Sequence, residues 1–236
     1  MLTNQFPQLQ FPLTAADAQR LPRNPAYRYR VCPDHLELDP QPRCGHALLT
    51  TDSSVGVRDS AGGWTARPLA ASDWPSLTDL FLDAFTSTLP LSVLSAEDCQ
   101  RIAEESLSRT RAGDDGLLID SASFVIRQPG HQGIIAAILI TLMPAGNLRN
   151  FTDPIWQESS PKDALTQHWG RPHLTWVMTS PSYARRGLAR HLLQLALLEL
   201  KQLGYSELAS TFLLDNVPSL LWHWSCGFHL QAAFSE

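Results

Sequence analysis

Apolar and polar positions change period in a regular order from Thr65 onward. TARPL reads as a short strand, and Ser72 stands as the expected N-cap of a helix in which Trp74, Leu77, Leu80, Phe81, Ala84 and Phe85 recur at helical spacing. A second helix is predicted to start at Ser95, with Asp98 three residues on as in a capping box, and to stop near Gly113. GLLIDSASFVIR and GIIAAILITLM read as two strands joined by QPGHQ, whose proline and glycine predict an antiparallel hairpin. The second is apolar on both faces, as a central strand would be. HLTWVMTSP is the next strand, ended by Pro181, and GLARHLLQLALLELKQLG is the clearest helix, closed by Gly204 in the C′ position. A strand ELASTFLL, a helix VPSLLWHWSC opened by Pro218, and a last strand HLQAAF complete the pattern.

Two segments break it. Residues 1–60 are rich in proline and carry only TAADAQRL (14–21) as a candidate short helix and YRYRV (27–31) as a candidate strand. They are expected to be an extension packed on the main domain, which then covers 61–236. Residues 144–172 form a long irregular link, the kind usually used as a lid or binding loop.

Composition narrows the function classes. The 236 residues carry a formal charge of −5 and no basic stripe, which argues against a nucleic-acid partner. No apolar run approaches membrane-spanning length, and MLTNQFPQLQFPL does not read as a secretory leader, so a cytoplasmic protein is expected. Cys32, Cys44, Cys99 and Cys226 show no CxxC spacing and read as reduced thiols, with a Cys32–Cys44 bridge as the alternative. His168 and His173 flank Trp169, but no third ligand stands at useful spacing, so no metal site is expected.

The candidate chemistry gathers at LTWVMTSPSYARRGLARHLL (174–193), a strand, a proline turn and a helix start. A helix N-terminus offers unpaired N–H groups and about half a positive charge. Gly187 and Ala189 keep the approach to that backbone clear, and Arg185, Arg186 and Arg190 add fixed charge suited to phosphate oxygens. The same residues also read as an ordinary helix start with solvated arginines, and the local pattern leaves both readings open.

SPSYARRGLARHLL resembles the acyl-coenzyme A loop of the GNAT acetyltransferases, Q/R-x-x-G-x-G/A, with Arg186, Gly187, Leu188 and Ala189 in its last four places and Ala184 where the usual Gln or Arg stands. DNVPSLLWHWSCGFHL is similar to the family's N-x-x-A-x-x-L-Y-x-x-x-G-F segment, with Asn216 in place and His223 at the tyrosine position. The order of elements from Thr65 to Phe234 also resembles that family, and GRPHLTW and LWHW are similar to segments of its bacterial members.

The resemblance implies an α/β (α+β) fold with a mixed sheet of about six to seven strands flanked by helices on both faces. It implies an enzyme that transfers an acetyl group from acetyl-CoA to a primary amine of a small molecule or peptide. The backbone of Val177, Met178 and Thr179 would lie along the pantetheine arm, Asn216 would orient it, and His223 would stand where the family places its general acid. A glutamate base of some relatives falls near Thr211, a poor base by itself; Glu207, Asp215 and Asp120 are other carboxylates near this region. Phe85, Leu89, Leu91, Phe151, Trp156 and Trp169 are expected around an acceptor pocket built from the first two helices and the 144–172 link. The reading from another class is a non-catalytic acyl-CoA-binding module, and a homodimer is an option the sequence leaves open.

Overall fold

A computed structural model describes residues 9–11, 27–31, 36–40, 44–53, 64–88, 91–128, 133–148, 150, 153–214 and 216–231. The helical periodicities fold as α1 (Trp74–Phe85), α2 (Ala96–Ala112), α3 (Leu188–Gln202) and α4 (Val217–Ser225). Local chemistry sets their ends. Ser95 Oγ accepts the Asp98 amide at 3.1 Å, and Gly113 closes α2 at φ +87°, a conformation only glycine adopts cheaply. The first helix starts later than Ser72 predicts: a 3₁₀ turn spans Ala71–Asp73 and α1 begins at Trp74. Asp73 is fully buried there and receives Arg67 at 2.6 Å, Arg127 at 2.7 Å and the Ala70 amide at 2.8 Å. Burial alone would raise its pKa, but these donors hold the carboxyl well below the usual carboxylate range.

The strands are β1 (Leu9–Phe11), β2 (Tyr27–Val31), β3 (Leu36–Pro40), β4 (Cys44–Thr50), β5 (Thr65–Pro68), β6 (Leu117–Leu118), β7 (Phe124–Arg127), β8 (Ile134–Met143), β9 (Arg171–Thr179), β10 (Glu207–Leu213) and β11 (His229–Gln231). The first three form their own sheet in the order β1-β3-β2. The main sheet has eight strands in the order β11-β4-β10-β9-β8-β7-β5, with β6 pairing β8. The stretch 116–127 is thus not one strand. A 3₁₀ turn at Asp120–Ala122 divides it, and Ser123 supplies the missing bonds: its hydroxyl donates to Ile119 O and accepts the Ile140 amide, both at 3.0 Å. The antiparallel pairing of β7 and β8 is as predicted; 129–132 of the turn, the candidate helix 14–21 and residues 232–236 lie outside the described residues.

A third difference concerns residues 1–60. Their strand β4 does not pack on the sheet but enters it, antiparallel to β10 along its whole length (Glu207↔Thr50 to Leu213↔Cys44) and to β11 on the other side. Nothing in the local pattern marks this, because both partners lie far along the chain.

Side-chain alternation divides the core into two layers. On one face α1 and α2 bury Leu77, Leu80, Phe81, Ala103 and Leu107 against Val125, Ala137, Leu139 and Met178. On the other, α3 buries Leu188, Leu192, Leu193, Ala196, Leu197 and Leu200 against Ile138, Ile140, Leu174, Leu208 and Phe212. The β8 strand, buried from Ile134 to Leu142, separates them.

Candidate functional site

The site begins where two parallel strands part. β9 and β10 share only the register pairs His173↔Ala209 and Ser210↔Leu174, although each runs well beyond them. Their N-terminal ends are held by Arg171 Nε, 2.5 Å from Glu207 Oε1. Past Leu174 the ladder between the strands ends, and a β-bulge against β8 leaves Thr175 without a register partner on that side as well.

Ladder geometry says which amides of β9 enter the opening. The Ser180 amide donates to Ile135 O at 2.9 Å. In an antiparallel ladder, hydrogen-bonded pairs alternate with non-bonded ones. Met178, registered to Ala137, is therefore bound to β8, and the amides of Val177 and Thr179 point the other way, into the opening. Of the three backbone positions expected along an arm, two are available and Met178 instead buries its side chain under the sheet, 1% exposed. Thr179 Oγ1 is buried and finds no partner among the described residues, nor does Trp222 Nε1 on α4.

The 3₁₀ turn Pro181–Tyr183 then leads to the N-terminus of α3. Arg185 (φ +61°) and Gly187 (φ +82°) are both left-handed, so the backbone from Ala184 to Gly187 curls into an exposed concavity of the kind that gathers amides. A Cβ on Gly187 would meet nothing within 4 Å, so the space before the helix end is open. The first bond from the helix back to the loop runs from the His191 amide to Gly187 O, which leaves the amides of Leu188, Ala189 and Arg190 directed out of the helix end.

The arginines divide. Arg185 is exposed and makes no ion pair among the described residues. Arg186 lies over the Tyr183 ring, 5.3 Å from its centroid. The Arg190 guanidinium donates to Ser225 O at 2.9 Å and Ser225 Oγ at 3.0 Å, tying α3 to the end of α4. Asn216 is the N-cap of α4, its Oδ1 accepting the Ser219 amide at 3.2 Å.

His223 is 3% exposed, with both ring nitrogens engaged. Nδ1 donates to Ser219 O at 2.8 Å, so Nε2, 2.8 Å from Ser210 Oγ, accepts that hydroxyl's hydrogen. Phe212 stacks on the ring at 4.2 Å, and burial lowers its pKa to about 4. A neutral, fully bonded imidazole of this kind has no proton to spare at neutral pH; it lines a cavity of about 220 Å³ with Ala47, Phe212, Phe228 and Leu230. Thr211, one residue from Ser210, points to the other face of the sheet and bonds two histidines, His46 Nδ1 at 3.0 Å and His173 Nε2 at 3.1 Å. His46 and its link to Thr211 were missed by sequence reasoning, and the only signal was the alternating pattern of β4.

Among the carboxylates, Glu207 is held by Arg171, Asp120 is exposed in its 3₁₀ turn, and Asp215 lies outside the described residues. The described residues of the 144–172 link are not seen to wall the opening. They pack at the opposite end of the sheet, where the His168 ring lies against Gly204 and Tyr205 Oη donates to Trp169 O at 3.3 Å. Trp156 covers Gly146, and Leu89 and Phe151 lie outside the described residues. Phe85 and Leu91 do meet the face below β9, Phe85 tilted against Trp176 at 6.1 Å. Cys99 and Cys226 are buried thiols. Among the described residues, no group of three metal-ligating side chains is placed to hold an ion, and no helix is long and apolar enough to cross a membrane.

The family model described as Acetyltransferase (GNAT) family matches residues 74–228. No curated protein matches the chain. Among solved structures, the PaiA N-acetyltransferase of Thermoplasma acidophilum in complex with coenzyme A has a TM-score of 0.50 at 12% identity, covering 72% of this chain and 91% of that one. A GNAT family acetyltransferase from Brucella melitensis in complex with acetyl-CoA has a TM-score of 0.47 at 16% identity, covering 74% and 91%. An aminoglycoside antibiotic 6'-N-acetyltransferase from Acinetobacter haemolyticus has a TM-score of 0.45 at 17% identity, covering 73% and 94%.

Proposed function

Because the chain belongs to the acetyltransferase (GNAT) family, we propose that it transfers an acetyl group from acetyl-CoA to a primary amine of a small molecule or peptide. The observation that carries this reading is the opening between β9 and β10, which leads to the bare N-terminus of α3. Parted strands leave an unpaired edge, and an extended arm ending in a pyrophosphate satisfies both features at once.

The residues present fit such a group. The amides of Leu188 and Ala189, with Gly187 clearing the approach, would hold the pyrophosphate, and Arg185 and Arg186 would supply its countercharge. The Val177 and Thr179 amides would take the arm's carbonyls as a neighbouring strand does, and the unpartnered Thr179 hydroxyl gains a partner there. Asn216 contributes by fixing α4 beside the arm, and Arg190 by tying α4 to α3. The bound thioester supplies an acyl carbon open to attack by a neutral amine. An amide of β9 aimed at its oxygen stabilises the charge that gathers there during attack, an effect worth about 3–4 kcal/mol in other acyl-transfer sites. His223 favours the second reading, a module that binds without turnover, since its engaged nitrogens suit a packed core better than an acid.

Calorimetric titration with acetyl-CoA tests the proposal. Micromolar affinity is expected for the wild type and none measurable for Gly187→Glu, whose carboxylate would occupy the open space before the helix. A folded wild type that binds no acetyl-CoA would remove the claim.

A further inference from the structure

The first residues freed beyond the last rung between β9 and β10 are Thr175 and Thr211, and one imidazole joins them. His173 Nδ1 lies 3.1 Å from Thr175 Oγ1, and its Nε2 lies 3.1 Å from Thr211 Oγ1. The chain continues from Thr175 Oγ1 to Thr141 Oγ1 at 2.7 Å, and from there to the main-chain oxygen of Asp115 at 2.9 Å. On the far side, His46 Nδ1 stands 3.0 Å from Thr211 Oγ1. Four strands, β4, β10, β9 and β8, thus contribute to a single line of hydrogen bonds across the root of the opening.

The end of that line sets its direction. A carbonyl oxygen only accepts, and a hydroxyl has one hydrogen to give. Thr141 gives its hydrogen to Asp115 O, so Thr175 gives its own to Thr141. His173 then carries its hydrogen on Nδ1 and donates it to Thr175. A neutral imidazole protonated on Nδ1 has a bare Nε2, which accepts the Thr211 hydroxyl hydrogen. His46 Nδ1 donates to Thr211 in turn. Burial, reinforced by His46 and His223, lowers the His173 pKa to about 4, so the ring is neutral at neutral pH. Thr141 is fully buried, whereas Thr211 and Thr175 are only half-buried, so the line grows more exposed toward the root of the opening.

Resting on the acetyl-transfer reading above, we infer that Thr211 and His173 together accept the proton of the attacking amine. The Thr211 hydroxyl takes that proton while passing its own to His173 Nε2. A threonine alone is a poor base; a threonine hydrogen-bonded to a bare imidazole nitrogen transmits the basicity of the ring behind it. The amine nitrogen bonds to the acyl carbon as the carbon–sulfur bond breaks. The proton held on His173 returns through Thr211 to the departing sulfur, which leaves the enzyme as it began. Thr175, Thr141 and His46 are positioning residues: the first two hold the ring in the receiving tautomer, and His46 orients the hydroxyl.

The test compares the wild type with Thr211→Val, which removes the hydroxyl at nearly constant volume, and Thr211→Ser, which returns it. Turnover of acetyl-CoA is followed with a panel of polyamines, aminoglycosides and amino-acid amides. Acetyl-CoA is titrated calorimetrically, and the imidazole nitrogens of the unliganded protein are observed by ¹⁵N NMR at pH 7. For the best acceptor, kcat is expected to fall about a hundredfold in Thr211→Val and to recover largely in Thr211→Ser. KM and acetyl-CoA affinity should stay within about threefold, the sign of an interaction used only in the transition state. In the spectra, His173 Nε2 is expected unprotonated, with a resonance that moves in Thr211→Val and returns in Thr211→Ser. Undiminished kcat in Thr211→Val, or a hydrogen on His173 Nε2, overturns the relay and leaves the coenzyme reading intact. A wild type that binds acetyl-CoA and acetylates nothing in the panel also overturns the relay alone. A wild type that binds no acetyl-CoA overturns both.

Discussion

The two edges of β9 make opposite use of the same backbone. Toward β8 the ladder runs from Met143↔Arg171 to Ala136↔Thr179, with one bulge, and both flanking layers press on it. Toward β10 it lasts two rungs and stops. The residues explain the contrast. The closed seam is built from Ile138, Leu139 and Ile140, each fully buried, whereas the root of the open one is set with Thr175, Thr211 and His173. Polar side chains bonded to one another across the gap take the place of a continued ladder. Stability lives in one seam and the proposed chemistry in the other, one strand's width apart.

That division can be broken in measurable ways. Acidification should act most strongly. His173 and His223 have folded-state pKa values of about 4, below the 6.5 of a free imidazole. Between those values the unfolded chain binds protons that the fold does not, so the stability present above pH 6.5 is lost as pH falls toward 4. The two together should cost on the order of 5 kcal/mol across that window, read as a falling urea midpoint. In His223→Gln the slope should be shallower.

Truncation separates the seams next. Ile138→Ala in the closed seam should cost about 2–5 kcal/mol with little change in acetyl-CoA affinity in the remaining folded protein. Val177→Ala, on the open edge and only half-buried, should cost about 1 kcal/mol. Hydrogen exchange should resolve the smallest difference. The Val177 and Thr179 amides should exchange at least about tenfold faster than Met178, and saturating coenzyme A should slow the first two and leave the third unchanged. Equal protection of all three in the free protein would contradict the ladder alternation.

Much of the frame was legible in the sequence because it is local. The Ser95–Asp98 cap, the stop at Gly113 and the helix opened by Pro218 all follow from neighbouring residues. The proline turn and the helix start beside Gly187 were legible for the same reason, whereas the reach of Arg190 to Ser225 depends on a helix 35 residues away. Failures came where distant segments meet. Ser123 divides 116–127 by bonding Ile140, and β4 finds β10 across 165 residues at the His46–Thr211 bond. In the sequence His173 stands only as half of a metal pair and Thr211 only as a weak base. Neither suggests a relay until the sheet sets them side by side, with the His173 ring bridging Thr211 and Thr175.

The position of β4 also governs the order in which the protein can be completed. This strand is synthesised well ahead of its two neighbours, β10 and β11, with 165 residues separating His46 from Thr211. At about 5–20 residues per second it waits some ten to thirty seconds for them, without a ladder on either side. Closing so long a loop is slow, and an unpaired strand such as CGHALLT invites the wrong neighbour in the meantime. The seams on both sides of β4 therefore close only once β10 and β11 have been made, around a strand that has waited for them.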